Sequence, residues 1–455
     1  MRVVALLLAS LAVPAVWAAG APAPPLEVGV GVVDITGPDA VILDPLHAKA
    51  VYFRQGPEQF VLVEVDVTEI GSDETTPARQ KAADKTGIPY DHICVAATHT
   101  HMASPHKELT SAIIEAVVQA KSDARPVKLQ AGAGEEFQIA FNRRYYMKDG
   151  SVMFNPMFLN PNIVRPAGPI DPELAIVLLR DPAGNRPLAS ISNYALHLDT
   201  VKEYGAVYQK DGAGSRDSVS ADFPYWLEEA LRKNFGPGFK SVFATGACGN
   251  INHWDFSKPG PQSGHKTITR HLGEALAAAF MEALPRLSDQ KASLAVRTRS
   301  MRIPFREQTA ADVAWAHKFL GKTEQLSGHS EEITERRRFL DTVRAQRILE
   351  IDARKKGSAD FLLDVQVVRL SEDTAIVTLP GEMFVEHGLS IKNLSPFANT
   401  LVVELANEFC GYVPNRKAFR QGEYEVEQGQ LAPGGAEMMV EAAVQMLHEL
   451  KQDFR

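Results

Sequence analysis

Short runs of β-branched and aliphatic residues alternate with segments of helical period along almost the whole chain, with no linker between them, and this alternation limits the architectures open to it. The strand-like runs are Phe60 to Val65, His92 to Ala97, Leu174 to Leu179, Ala189 to Leu196, Ser241 to Thr245, Leu294 to Ile303, Val365 to Leu370, Ala375 to Leu379 and Leu401 to Leu405. Several are apolar at consecutive positions, as strands buried on both faces are. Between them, Leu109 to Ala120, Phe223 to Leu231, Ile268 to Leu284 and Ala436 to Leu450 repeat their apolar residues at helical spacing. The pattern predicts an α/β fold, mixed α+β and layered, with buried central sheets and flanking helices.

The 455 residues show no Pro/Gly/Ser linker, charge block or internal repeat that would mark a boundary. A single domain over residues 26–455 is expected, with residues 309–357 as a charged helical insertion. There Glu331-Glu332 leads into Arg336-Arg337-Arg338 and later Arg354-Lys355-Lys356, the composition of a solvated helical hairpin rather than a binding surface. Met147 to Pro172 is rich in Asn-Pro pairs and loses all periodicity, and is expected to be a long ordered loop or lid.

Residues 1–18 read as a cleaved export signal: Met1-Arg2, an apolar run from Val3 to Val16, then short residues flanking Trp17. The protein is therefore expected to be secreted or periplasmic. A run broken at Pro14 is too short to span a bilayer, which takes ~20 apolar residues, so no stable membrane insertion is expected. The net charge of −8 argues against nucleic acid as a partner. Cys94, Cys248 and Cys410 are odd in number and are expected to be buried free thiols.

Chemistry gathers where the strand-like runs end. Val95-Ala96-Ala97-Thr98 leads into His99-Thr100-His101, and alternation along an extended segment turns both imidazoles to one side. Ile191 to Leu196 ends in His197, Ala375 to Leu379 in Pro380-Gly381-Glu382, and Leu401 to Leu405 runs on to Asn407 and Tyr412. The crevice beyond the carboxyl ends of strands is where layered α/β folds bind ligands, and this mixture of nitrogen and carboxylate donors suits zinc with a position left open. Taken singly, each residue has an ordinary reading: a hydrogen-bonded histidine, a plain turn, a core tyrosine.

An ordered set of segments resembles the catalytic domain of neutral, non-lysosomal ceramidases. It comprises Gly29-Val30-Gly31-Val32-Val33-Asp34-Ile35-Thr36-Gly37-Pro38, Ala97-Thr98-His99-Thr100-His101, Asn142-Arg143, Ser220-Ala221-Asp222-Phe223-Pro224, Leu379-Pro380-Gly381-Glu382 and Gly411-Tyr412-Val413. The resemblance covers nearly the whole chain beyond the signal. It implies zinc ligation by His99, His197, Glu382 and Tyr412, with His101 and Arg143 close enough to hold the bound water or polarise a carbonyl. It also implies that Tyr412 can turn to donate a hydrogen bond to a developing oxyanion.

Two departures bear on substrate. The family's Gly-Asp-x-Ser-Pro-Asn segment, with its site serine, is replaced by Gly249-Asn250-Ile251-Asn252-His253-Trp254. Asn252 stands where the hydroxyl would be and can donate a hydrogen bond but cannot act as a hydroxyl nucleophile. The resemblance ends with the last amphipathic helix, so the family's C-terminal β-sandwich is not expected. The resemblance thus implies a zinc-dependent hydrolase cleaving an amide, an N-acyl bond, in a small-molecule or lipid-like N-acylated substrate. Ester or carbohydrate hydrolysis at the same metal, and a non-catalytic metal-binding protein of the same fold, are the alternatives.

Overall fold

The computed structural model describes residues 24–37, 41–103, 108–200, 218–260, 265–323 and 332–453. Three larger sheets make up its centre. In the first, β1 (Glu27–Asp34), β2 (His47–Gln55) and β3 (Glu58–Val65) form an antiparallel meander. The chain then crosses through helix α1 (Ser72–Thr86) to β4 (Ile93–Ala97), which lies parallel to β3. Helix α2 (Leu109–Ser122) follows.

The second sheet runs β8 (Lys240–Thr245), β7 (Pro187–Tyr194), β6 (Glu173–Arg180), β5 (Lys128–Glu135), with β7 and β8 parallel across helix α3 (Phe223–Phe235). Helix α4 (His265–Ala283) comes next in the chain. In the third, β9 (Ala292–Pro304) and β10 (Asp360–Ser371) form a long antiparallel pair, with the charged helices α5 (Ala310–Thr323) and α6 (Glu332–Lys355) inserted between them. Next, β11 (Thr374–Thr378) pairs in parallel with β12 (Asn399–Val403) across helix α7 (Val385–Leu394). Helix α8 (Gly435–Gln452) closes the described chain.

Each sheet therefore carries one parallel strand–helix–strand unit, because a parallel pair cannot be closed by a tight turn and needs a crossover. The three sheets turn one face each to a shared core of residues such as Val51, Leu62, Val177, Ile191, Val368 and Leu401. Helices cover the outer faces. Ile113 and Val117 of α2 pack on the first sheet, Leu227 and Phe280 of α3 and α4 on the second, and Met439 and Leu447 of α8 on the third. Burial on both faces explains why the strands read as near-continuous apolar runs. Asn193 of β7 stitches two layers together: its amide donates to Ala244 O (2.8 Å) and Val402 O (2.9 Å) and accepts from Val402 N–H (3.1 Å).

The glycines of Gly29-Val30-Gly31 have a packing reason. A Cβ on Gly31 would stand 2.1 Å from Ala116 O of α2, and one on Gly29 would stand 2.0 Å from Ala120 O. Gly31→Ala is therefore expected to destabilise the fold by about 3 kcal/mol, the cost of forcing a methyl between backbones. A denaturant titration showing no change in midpoint would refute this account of the helix–sheet contact.

The expected strands and helices all form, and Cys94, Cys248 and Cys410 are buried free thiols. Two expectations are corrected. Residues of the supposed loop Met147 to Pro172 form a small sheet, in which Val152–Phe154 and Ile163–Pro166 flank Arg144–Met147. Strands of three and four residues are too short to show a period. The insertion carries the expected charge pairs, such as Lys356 with Asp352 (3.2 Å). One face of α6 nevertheless docks: Arg336 donates to Phe154 O (2.8 Å), and the Phe339 ring stacks on Tyr424 at 5.6 Å. No helix among the described residues is long and apolar enough to cross a membrane. The expected export signal, residues 1–18, lies outside the described residues.

Candidate metal centre

The carboxyl ends of the three parallel pairs meet. Ala97 N–H donates to Leu405 O (3.3 Å), Asn407 N–H to Val95 O (2.7 Å) and Glu404 N–H to Thr245 O (3.0 Å). Thr245 Oγ1 donates to Thr98 O at 2.7 Å. Just beyond these ends stand His99 from the first sheet, His197 from the second and Glu382 from the third. Tyr412 follows on a short strand paired in register with Glu382.

The backbone bends sharply to bring them in. The extended conformation assumed for His99-Thr100-His101 ends at Ala97, and His99 itself has φ of 73°. Leu405 (φ 56°) and Asn407 (φ 65°) are also left-handed, a conformation that non-glycine residues adopt at a cost. Gly381, with φ of 71°, is obligatory beside Glu382, because a Cβ there would lie 2.6 Å from Cys410 Sγ and 2.7 Å from Gly411 O.

The donor atoms converge. His99 Nε2 lies 3.0 Å from His197 Nε2 and 3.2 Å from Glu382 Oε2. His197 Nε2 lies 3.5 Å from Glu382 Oε2 and 3.3 Å from the Tyr412 hydroxyl. The opposite ring nitrogens are tied to the backbone, with His99 Nδ1 at 2.6 Å from Thr68 O and His197 Nδ1 at 3.1 Å from Cys248 O. An Nδ1–H that donates to a carbonyl leaves Nε2 to face inward, which is how ligating histidines are oriented. Glu382 Oε2 is buried, facing the His99 and His197 nitrogens.

Two inward nitrogens and a carboxylate oxygen at such distances are able to hold a cation between them. Donors about 2.0–2.1 Å from a tetrahedral zinc stand roughly 3.3 Å apart, so the spacing fits that ion. The charge balance of the cluster follows from the same crowding. Burial drives the His99 imidazolium down, but the Glu382 charge and the Thr68 carbonyl overcome it and hold its pKa at about 9. Burial, with the Arg143, His99 and His101 charges, pushes His197 well below the ordinary histidine value. Glu382 is lowered although burial opposes it, chiefly by His99. Without a cation, a proton on His99 supplies the missing charge.

His101 is half-buried in the same cluster, its ring 4.8 Å from that of His99 and 5.6 Å from that of His197. The ligand atoms of His99, His101 and His197 all lie within 4.8 Å of one another, a looser set than His99, His197 and Glu382. The guanidinium of Arg143 is fixed by Glu425 Oε1 (3.0 Å) and Gly249 O (2.8 Å). It places Nη1 3.3 Å from His197 Nε2, with its centre 5.3 Å from the Tyr412 ring. Burial keeps the Tyr412 phenol protonated despite that neighbouring charge.

Asn252 is not among the residues whose polar atoms converge. Its amide nitrogen donates to Asn155 Oδ1 (3.2 Å), and its oxygen accepts from Trp254 N–H (3.0 Å). Short strand pairing of Asn252 with Phe141 turns the amide toward the small sheet, which the sequence did not foretell.

Several contributors escaped the sequence reading. Glu404 accepts from Met383 N–H (2.7 Å), Cys248 N–H (3.2 Å) and Cys248 Sγ–H (3.0 Å). A carboxylate interrupting the apolar run Leu401-Val402-Val403-Glu404-Leu405-Ala406 was a visible signal for it. Glu425, which also binds Arg144 at 2.6 Å, had none.

The architecture has solved counterparts. The crystal structure of neutral ceramidase from Pseudomonas aeruginosa matches with a TM-score of 0.69 at 18% identity, covering 94% of this chain and 75% of that one. A ceramidase complexed with C2 matches with a TM-score of 0.67, also at 18% identity, over 94% of this chain and 76% of the other. No protein-family model and no curated protein matches the chain. The fold is thus ceramidase-like, as the sequence resemblance implied.

Proposed function

We propose that this chain is an exported zinc-dependent hydrolase that cleaves an amide, an N-acyl bond, and that residues 26–455 work as one catalytic unit. The observation that carries the reading is the convergence of His99 Nε2, His197 Nε2, Glu382 Oε2 and the Tyr412 hydroxyl, all buried, with both imidazoles oriented through backbone carbonyls. His99, His197, Glu382 and Tyr412 would hold the ion. A bound zinc supplies Lewis acidity, bringing the pKa of water from ~16 to about 7 and polarising a carbonyl.

The chain's own groups divide the remaining work. Arg143 is a fixed cation beside Tyr412, placed to stabilise negative charge as it develops on the carbonyl oxygen. Tyr412, on releasing the ion, would be a second donor to that oxygen. His101 moves the proton: the water oxygen adds to the carbonyl carbon, the C–N bond breaks, and the amine leaves with the proton water gave up. Burial of Arg143 and Tyr412 keeps bulk water from screening their charges.

A thiol nucleophile is disfavoured. Cys248 is buried, its thiol donates to Glu404, and burial pushes its pKa well above the ordinary value, so no thiolate is at hand.

The test is elemental. Purified protein is expected to carry about one zinc per chain. Removing the zinc with a chelator should abolish hydrolysis of an N-acyl amide, and adding zinc back should restore it. A panel of amides, esters and glycosides of matched size locates the bond class. Protein that takes up no zinc, or that hydrolyses equally well without it, would overturn the proposal.

A further inference from the structure

We infer that Glu404 is a positioning residue that sets the distance between His197 and Glu382, and that it does so as a hydrogen-bond acceptor rather than as a charge. The inference rests on the reading of the cluster as a zinc centre.

Glu404 is fully buried at the end of β12 and lies behind the donor atoms. Its Oε2 receives two backbone N–H groups, Met383 at 2.7 Å and Cys248 at 3.2 Å, while Oε1 receives the Cys248 thiol at 3.0 Å. Met383 is the residue after Glu382. Cys248 is the residue whose carbonyl holds His197 Nδ1 at 3.1 Å. One oxygen atom therefore clamps the peptide that follows one donor to the residue whose carbonyl orients another.

The residues joined in this way are far apart in the chain: Cys248 lies in the loop after β8, and Met383 on the short strand that follows β11. A lateral shift of either segment would widen the 3.5 Å gap between His197 Nε2 and Glu382 Oε2. Groups that orient ligands in this manner typically change metal affinity by about 10- to 100-fold when removed.

A second tie makes the role separable from folding. Gly249 N–H donates to Met383 O at 2.8 Å, and Glu404 N–H to Thr245 O at 3.0 Å, and neither uses the Glu404 side chain. The segments stay together without it, but their spacing is less closely set. Glutamine preserves the clamp, since one amide oxygen can accept both N–H groups while the amide NH2 faces the cysteine sulfur.

The experiment measures the zinc dissociation constant by competition with a chromophoric chelator, together with the melting temperature of the metal-free protein. Wild-type protein comes first: if it binds no zinc, the proposed function fails before Glu404 is in question. With zinc bound to wild type, Glu404→Leu should raise the apparent Kd about 10- to 100-fold. Glu404→Gln should stay within about threefold of wild type, and the metal-free melting temperatures of wild type and Glu404→Gln should coincide.

Wild-type affinity in Glu404→Leu would overturn the inference. Equal loss in Glu404→Gln would overturn it too, by making charge the operative property. If Glu404→Leu does not fold, Glu404→Asp replaces it, because a carboxylate one methylene shorter cannot span both N–H groups, and the same loss is expected. Undiminished affinity in Glu404→Asp, or its failure to fold, would assign the residue to the core alone and overturn the inference.

Discussion

His99→Ala protein is expected to purify with essentially no zinc and to hydrolyse its substrate on the order of 10³-fold more slowly, or worse, the several kcal/mol a Lewis acid supplies. His99 Nε2 is the nearest neighbour of both His197 Nε2 (3.0 Å) and Glu382 Oε2 (3.2 Å). Removing it takes away the donor closest to both of the others, and the imidazole, carboxylate and phenol that remain would hold the ion far less tightly. The backbone contributes little to the loss, because alanine at φ of 73° is strained about as histidine is. The metal-free melting temperature of the variant should therefore fall only modestly below that of metal-free wild type. Zinc analysis and turnover on the same preparation decide the matter, and a zinc-replete His99→Ala protein would remove His99 from the ligand set.

His101→Ala has a different expected signature: zinc retained, turnover down by about 100-fold, the range for loss of a positioned proton-transfer group. Three histidines are themselves a known zinc set, so His101 is the natural rival to Glu382. The distances favour Glu382. Its Oε2 lies 3.2 and 3.5 Å from the two imidazole nitrogens, whereas the three-histidine set is spread over as much as 4.8 Å. His101 is also less buried than His99 or His197, which suits a group that must meet water and substrate. A metal-free His101→Ala protein beside a zinc-replete Glu382→Ala protein would move the ion to the three histidines.

Much of this site was legible in the sequence because apolar strand cores end abruptly in polar residues. Val95-Ala96-Ala97 and Ala375 to Leu379 mark where buried sheet stops, and His99 and Glu382 follow within three residues. Helices α2, α3, α4 and α8 could be read from their period for the same reason, since one stripe faces a sheet, whereas α1 and α7 were not read. Illegible parts have identifiable causes. The turn at His99 depends on φ, which residue type did not dictate. Strands as short as Val152–Phe154 pair through tertiary context rather than alternation. Asn252 was placed by a two-residue bridge to Phe141 that no local pattern announces. Glu404 could have been found, because a carboxylate inside an apolar strand must be answered by donors somewhere in the fold.

One donor follows each of the three sheets in the chain, with Tyr412 paired beside Glu382 on a two-stranded ribbon, and this has a consequence for how the protein responds to damage. A cation held among them would act as a cross-brace closing loops of about one hundred and two hundred residues, a form of stabilisation that grows only slowly with loop length but is shared by every layer. Loosening any single layer, however distant from the ion, would then register as weaker metal retention before it registered as unfolding. Conversely, an addition such as α5 and α6 falls inside one layer, between β9 and β10, and leaves the relations among the three untouched. The architecture therefore tolerates growth within a layer and penalises slippage between layers.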